Sequence, residues 1–223
     1  MIVFNSVGHD YGGGALFQDA TLTLEPGSFH FLTGPSGSGK STFLKLCYGE
    51  LIPSQGRVSV FDKGLESMSR DDLARTRQRI GVVHQDCQFL DHLTVAQNVA
   101  LPLSVTGRPV VEGDLHDLLA WVGLGGQKDA LPPTLSGGER QRSALARAII
   151  ASPDVLLADE PTGNLDWDMS QRLMALMVEL NRMGTAILIA THDLNLIRFV
   201  KTQVSTRVLR LSRGKVIAAG AEL

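Results

Sequence analysis

The chain has 223 residues, 43% hydrophobic and 20% charged, with a formal net charge of −2. That length admits one domain, or one domain carrying a subdomain, with a sizeable apolar core. The balanced charge argues against a broadly basic nucleic-acid binder, and Cys47 and Cys87, in no metal-ligand spacing, argue against a disulfide scaffold or zinc module.

Both thiols read as small hydrophobes kept reduced in a cytosolic setting. The opening "MIVFNSVGHDY" lacks the basic-then-apolar layout of a secretory signal. The longest apolar runs, "VLLA" and "AILIA", are strand-sized, whereas a membrane-spanning helix needs about 20 residues. Any attachment to a membrane is therefore expected to pass through another chain.

In chain order, β-like runs are predicted at residues 2–7, 21–24 and 29–32. A helix follows the glycine-rich stretch over residues 41–48, with Phe43, Leu44 and Leu46 as its apolar positions. A turn at "PSQG" leads into a strand at 58–61, then the charged helix "RDDLARTRQR" and the strand "IGVV". Residues 91–150 are mostly helical in pattern, with "EGDLHDLLAWVGL" and "GGERQRSALARAII" the strongest segments. A strand at 155–158, a helix at 169–183 and a strand at 186–190 come next, and "STRVLRL" and "GKVIAAG" close the chain as β-rich runs. Strand–helix alternation around short apolar strands predicts an α/β fold with a parallel sheet, an inserted helical subdomain and a small antiparallel addition at the N-terminus. The arginines of "SRDDLARTRQR" are interrupted by Asp71 and Asp72 and read as a solvated helix face, so no nucleic-acid partner is expected.

The stretch "GPSGSGKST" (Gly34, Pro35, Ser36, Gly37, Ser38, Gly39, Lys40, Ser41, Thr42) fits G-x-x-x-x-G-K-[ST] between a strand and a helix. Gly37 and Gly39 permit backbone angles that let successive N–H groups converge on phosphate oxygens at a helix N-terminus. Lys40 adds a point charge at the β and γ positions, and the Ser41 hydroxyl suits Mg²⁺. "VLLADE" ends an apolar strand with Asp159 and Glu160. Asp159 is placed to hold the metal, directly or through water, and Glu160 to orient or activate an attacking water.

"LSGGERQ" at residues 135–141 resembles the signature of ABC-type ATPases, and "GPSGSGKS", Gln85 in "VVHQD", "LLADEPTGNLD" and "ATHD" follow that family's order over essentially the whole chain. The resemblance implies a single ABC ATPase domain over residues 1–223: a P-loop NTPase (RecA-like) core with an antiparallel β subdomain at about 1–85 and 151–223, and a helical subdomain at 86–150. It implies ATP and Mg²⁺ as cofactors. Tyr11 corresponds to an aromatic that stacks on adenine, and Gln85 to the glutamine that touches Mg²⁺ and the attacking water and links the site to the helical insert. Ser136, Gly137 and Gly138 correspond to the signature that meets the γ-phosphate held by the opposite protomer. Asp166 corresponds to a loop aspartate at the dimer seam, and His192 to the switch histidine on the γ-phosphate. Blander readings stand beside these: Tyr11 as a loop aromatic, His192 as a helix cap, and "SGGE" as a capping box with Glu139, which is compatible with anion binding. The family solution is a head-to-tail homodimer with two ATP molecules at the seam.

Within the family, "RQRIGVVHQD", "NRMG" and "ATHDLNLI" resemble the cell-division branch. That branch implies an integral membrane partner, indirect contact with other division components, and a place on the cytoplasmic side of the inner membrane. The output would be activation of peptidoglycan hydrolysis outside the membrane rather than transport. The alternative is the lipoprotein-releasing or macrolide-exporter branch, which shares "LSGGERQR" and "DEPTGNLD". Chromosome-organising relatives would interrupt the domain with a coiled coil or zinc modules, and the chain has neither heptads nor cysteine clusters. Phe89, Leu90, Leu93 and Val95, after Gln85, are the expected socket for the partner, some packing inward and a few exposed.

Overall fold

A computed structural model describes residues 1–218. The last two residues of the run "GKVIAAG", Ala219 and Gly220, lie outside them. One ten-stranded sheet runs through the molecule. Its antiparallel wing comprises β1 (Ile2–Asp10), β2 (Ala15–Leu24), β4 (Gln55–Val60) and the two-residue β5 (Lys63–Gly64). Its parallel side comprises β3 (Phe29–Thr33), β6 (Ile80–Val83), β7 (Val155–Asp159), β8 (Ala186–Ala190) and β9 (Thr206–Ser212), in the order β9-β3-β8-β7-β6. Strand β10 (Lys215–Ala218) folds back antiparallel on β9 and joins the two parts, meeting β2 at the single register pair Lys215↔Gln18.

The parallel strands are short and apolar throughout because both faces are covered. Helix α1 (Lys40–Cys47) packs on one face, where Leu32, Phe43, Leu46, Val155, Leu157, Leu188 and Leu209 share a core with Phe4 and Phe17 of the wing. On the other face Phe31, Leu156, Ala158, Ile187 and Ile189 meet α5 (Gly137–Ile149), α6 (Trp167–Arg182) and α7 (Leu194–Lys201). Alternate residues of β7 thus point to opposite cores, as the period of two in a strand requires. Gly81 of β6 lets α5 lie directly on the sheet: a Cβ there would stand 2.4 Å from the carbonyl oxygen of Ala148.

A third apolar cluster holds α3 (Val95–Val105) and α4 (Glu112–Trp121) to the flank of α5 through Val95, Val99, Leu119, Val122 and Leu124. Helix α2 (Arg70–Gln78) leads into β6. No helix among the described residues is long and apolar enough to cross a membrane.

Two expectations need correction. Strand β2 begins at Ala15 rather than residue 21, because register shifts and left-handed residues at Ser6 and Asp19 break the alternation that marks a strand. Residues 194–201 form helix α7, an element absent from the expected set although Leu196, Ile197 and Val200 bury one face at helical spacing.

Candidate nucleotide-binding site

The glycine-rich loop leaves the buried end of β3 and enters α1 at Gly39, whose φ of 103° is left-handed. Gly34 is required by close approach, since a Cβ there would stand 2.5 Å from the carbonyl oxygen of Leu211. The loop then opens: Pro35, Ser36 and Gly37 are exposed, and Gly37 carries φ 76°. Lys40 turns back beneath the loop and is buried. Its Nζ donates to the carbonyl oxygens of Gly34 at 3.0 Å and Pro35 at 3.4 Å, and lies 3.3 Å from Glu160 Oε1.

Glu160 follows the last residue of β7 in a left-handed conformation, φ 45°, and its N–H donates to Ala190 of the neighbouring strand at 2.8 Å. A non-glycine residue held this way costs about 1–3 kcal/mol. The turn directs the carboxylate under the phosphate loop, where Oε1 meets both Lys40 and His192 Nδ1, the latter at 2.9 Å. The Glu160 side chain is 12% exposed and that of His192 67%. Asp159 stands beside Glu160, also partly buried. Burial pushes its carboxyl above the ordinary carboxylate range and the charge of Glu160 adds to this, while a hydrogen bond from Ser41 and the charge of Lys40 pull it back. Its Oδ1 is buried without a hydrogen-bond partner.

Lys40, Ser41, Asp159, Glu160 and His192 are thus brought together at the C-terminal ends of adjacent parallel strands β3, β8 and β7. Open α/β sheets bind ligands at this edge. Gln85 lies two residues beyond β6, the strand beside β7, and lines a cavity of about 540 Å³ with Gly137, Gln141 and Asn164. Tyr11 stands at the open rim, 65% exposed, with its hydroxyl 3.0 Å from Thr42 Oγ1 and its ring met edge-on by the buried His9, centroids 4.8 Å apart. Gly12, Gly13 and Gly14 leave open space beside it.

Ser136 is the N-cap of α5. Glu139 N–H donates to its hydroxyl at 3.3 Å, and Ser136 N–H donates to the Glu139 carboxylate at 2.8 Å, a complete capping box. These bonds hold the Glu139 carboxyl below its usual range. Gly137 lies near Asn164 and Gly138 against Met169, so in one copy of the chain the signature faces the loop that ends at Asp166, not the phosphate loop. Asp166 caps α6 by accepting from Met169 N–H at 2.8 Å.

The segment after Gln85 divides between packed and exposed positions. Leu90 is 45% exposed, but Val95 is buried and Phe89 is half-buried under the guanidinium groups of Arg140 and Arg147. Sequence reasoning also missed His9 and Asn98. Asn98 is fully buried on α3, accepts from Leu90 N–H at 2.9 Å and donates to the carbonyls of Leu90, Leu93 and Thr94. A polar residue among the apolar positions of a helix was the available signal.

The arrangement suits a phosphate group on the loop, with the Glu160 carboxylate beneath it. Residues 17–163 match the ABC transporter family model, and the chain belongs to that family of ATP-binding, ATP-hydrolysing cassettes. Among particular proteins, it is similar to the cell division ATP-binding protein FtsE. Identity is 40% over 221 residues with that of Mycobacterium tuberculosis, covering 97% of this chain and 94% of the relative. It is 42% over 220 residues with that of Escherichia coli K12, covering 96% of each. A dimeric ATP-binding cassette solved in a post-hydrolysis state with ADP and Pi superposes with a TM-score of 0.85 at 31% identity, over 97% of this chain and 96% of that one.

Proposed function

We propose that the chain is the ATP-hydrolysing subunit of a cell-division membrane complex, working on the cytoplasmic face of the inner membrane through an FtsX-like integral membrane partner and touching other division components indirectly. The likeness to FtsE proteins over nearly the full length carries this reading. The single domain is read as a catalytic body, residues 1–85 and 151–223, and a helical body, residues 86–150.

The phosphate loop, residues 34–42, cradles the nucleotide, and Tyr11 stacks on the base. Lys40 exchanges its contact with Glu160 for the β- and γ-phosphates. The Ser41 hydroxyl and the Asp159 carboxylate, with its orphaned buried Oδ1, form an oxygen donor set that suits a hard divalent cation, and Gln85 completes it. Mg²⁺ held there would neutralise charge on the phosphates. Glu160, released from Lys40, takes a proton from the attacking water. His192 then steadies the γ-phosphate. Ser136, Gly137 and Gly138 point away from the phosphate loop of their own chain, so they serve the nucleotide of a second copy, with Asp166 at the seam. The partner's docking element fits the cavity of about 590 Å³ between α2, β6 and α3, lined by Arg77, Ile80, Leu101 and Val105, where Val105 is 82% exposed.

Affinity purification from detergent-solubilised membranes tests this. Recovery of a four-span membrane protein with one large external loop, lost in Val105→Glu, is the expected result. Recovery of a lipoprotein-release permease instead would overturn the cell-division reading and leave the ATPase intact.

A further inference from the structure

We infer that Arg140 and Arg147 of α5 are positioning residues that tie the loop carrying Gln85 to the signature helix, so that the two move as one body. The inference deepens the reading above, and only its activity arm rests on the role given there to Gln85.

Residues 84–93 form no helix or strand, so their backbone groups need other partners. Two consecutive carbonyls find theirs on one helix, and the ring of the next residue packs there too. Arg140 Nη2 donates to the carbonyl of Cys87 at 3.0 Å, and Arg147 Nη1 donates to the carbonyl of Gln88 at 2.6 Å. The Phe89 ring takes both guanidinium groups, 4.6 Å from Arg147 and 5.4 Å from Arg140, within cation–π range. Seven residues apart, the two arginines lie on one face of α5, two turns from each other. Arg140 also donates through Nη1 to the carbonyl of Pro132 at 2.9 Å, so one planar side chain spans the loop and the entry to the signature. The far end of the loop is fixed to α3 by Asn98. Charge-assisted bonds of this kind are about twice as strong as neutral ones. Any shift of α5 as its N-terminus meets a second copy therefore carries the loop, and Gln85, with it.

The two cysteines give a readout that does not depend on turnover. Cys87 is half-buried in the loop itself, whereas Cys47, the last residue of α1, is fully buried and serves as an unfolding control. In the Arg140→Met/Arg147→Met variant an aromatic disulfide reagent should label Cys87 about tenfold faster than in the wild type, with Cys47 still silent. Removing two cations disfavours the thiolate, so charge alone predicts the opposite sign. If that variant labels at Cys47, Arg147→Lys, which keeps the charge and loses the fork, is measured in the same way. An unchanged Cys87 rate in the folded variant overturns the inference.

For activity, Arg147→Met should lower kcat about tenfold with the KM for ATP within about twofold, and should lower it no further in a Gln85→Ala background. Additive losses overturn the route through Gln85. Wild-type turnover in Gln85→Ala alone would instead remove the role assigned to Gln85, and the thiol rate would still decide the tie to α5.

Discussion

Glu160→Gln probes the centre of the site. Its carboxylate lies 3.3 Å from Lys40 Nζ, with only 8% of the lysine side chain and 12% of the glutamate exposed. A unit charge pair 3.3 Å apart attracts by about 5 kcal/mol at an effective dielectric near 20. Desolvation of both ions offsets most of this, leaving about 1–2 kcal/mol that an incoming phosphate must displace. The amide removes that competitor and the repulsion it would exert on the γ-phosphate. ATP affinity should therefore rise about five- to thirtyfold, while Mg²⁺-dependent phosphate release falls by a hundredfold or more for want of a base. The assay is displacement of a fluorescent nucleotide in EDTA, at protein concentrations where the chain is monomeric, by ATP and by ADP in parallel. Because ADP lacks the group that meets Glu160, its gain should be smaller. Equal gains for the two nucleotides, or no gain for ATP, would refute the view that Glu160 gates Lys40.

Three further outcomes follow from the packing. His30 is fully buried without a hydrogen-bond partner, and burial, with the charge of Arg207, lowers its pKa to about 4. The unfolded chain, titrating near 6.5, binds that proton first, so stability falls as pH drops from 6.5 towards 4, by up to about 3 kcal/mol. His30→Leu should flatten this acid limb in urea titrations at pH 5 and 7. Gly81→Ala should cost about 1–3 kcal/mol, read as a lower urea midpoint, because the new methyl meets the Ala148 carbonyl and α5 must lift from β6. Tyr11→Ala should lose about 1–3 kcal/mol of ATP affinity and leave inorganic triphosphate binding unchanged, since only the base loses its stacking partner.

The elements legible in the sequence were those whose physics is local. "VLLAD" and "AILIA" are apolar at every position because both faces of β7 and β8 are covered, and the phosphate loop announces itself through glycines that each have a steric reason. What stayed hidden depends on distant partners. The left-handed turn at Glu160 exists because its N–H completes the ladder to Ala190, and the carboxylate's contact with Lys40 joins residues far apart in the chain. Which of Phe89, Leu90, Leu93 and Val95 would pack inward was not legible, because nothing in the local sequence reveals the two arginines that cover Phe89. The N-terminal half of β2 was lost to irregular register, where alternation stops reporting which side faces the core.

The junction between wing and catalytic strands has a consequence for how the grip on ATP evolves. In the proposed reading, base and phosphates are handled by two halves of one sheet whose backbones meet, among the described residues, at a single register pair and a 2.7 Å bond from Gln18 N–H to the Gly214 carbonyl. A substitution that tilts β1 and β2 moves Tyr11, and because Phe4 stacks on Phe43 at 4.4 Å between ring centroids it also presses on α1, the helix that begins at Lys40. Preference for one purine over another is therefore hard to change without disturbing the hydrolytic chemistry.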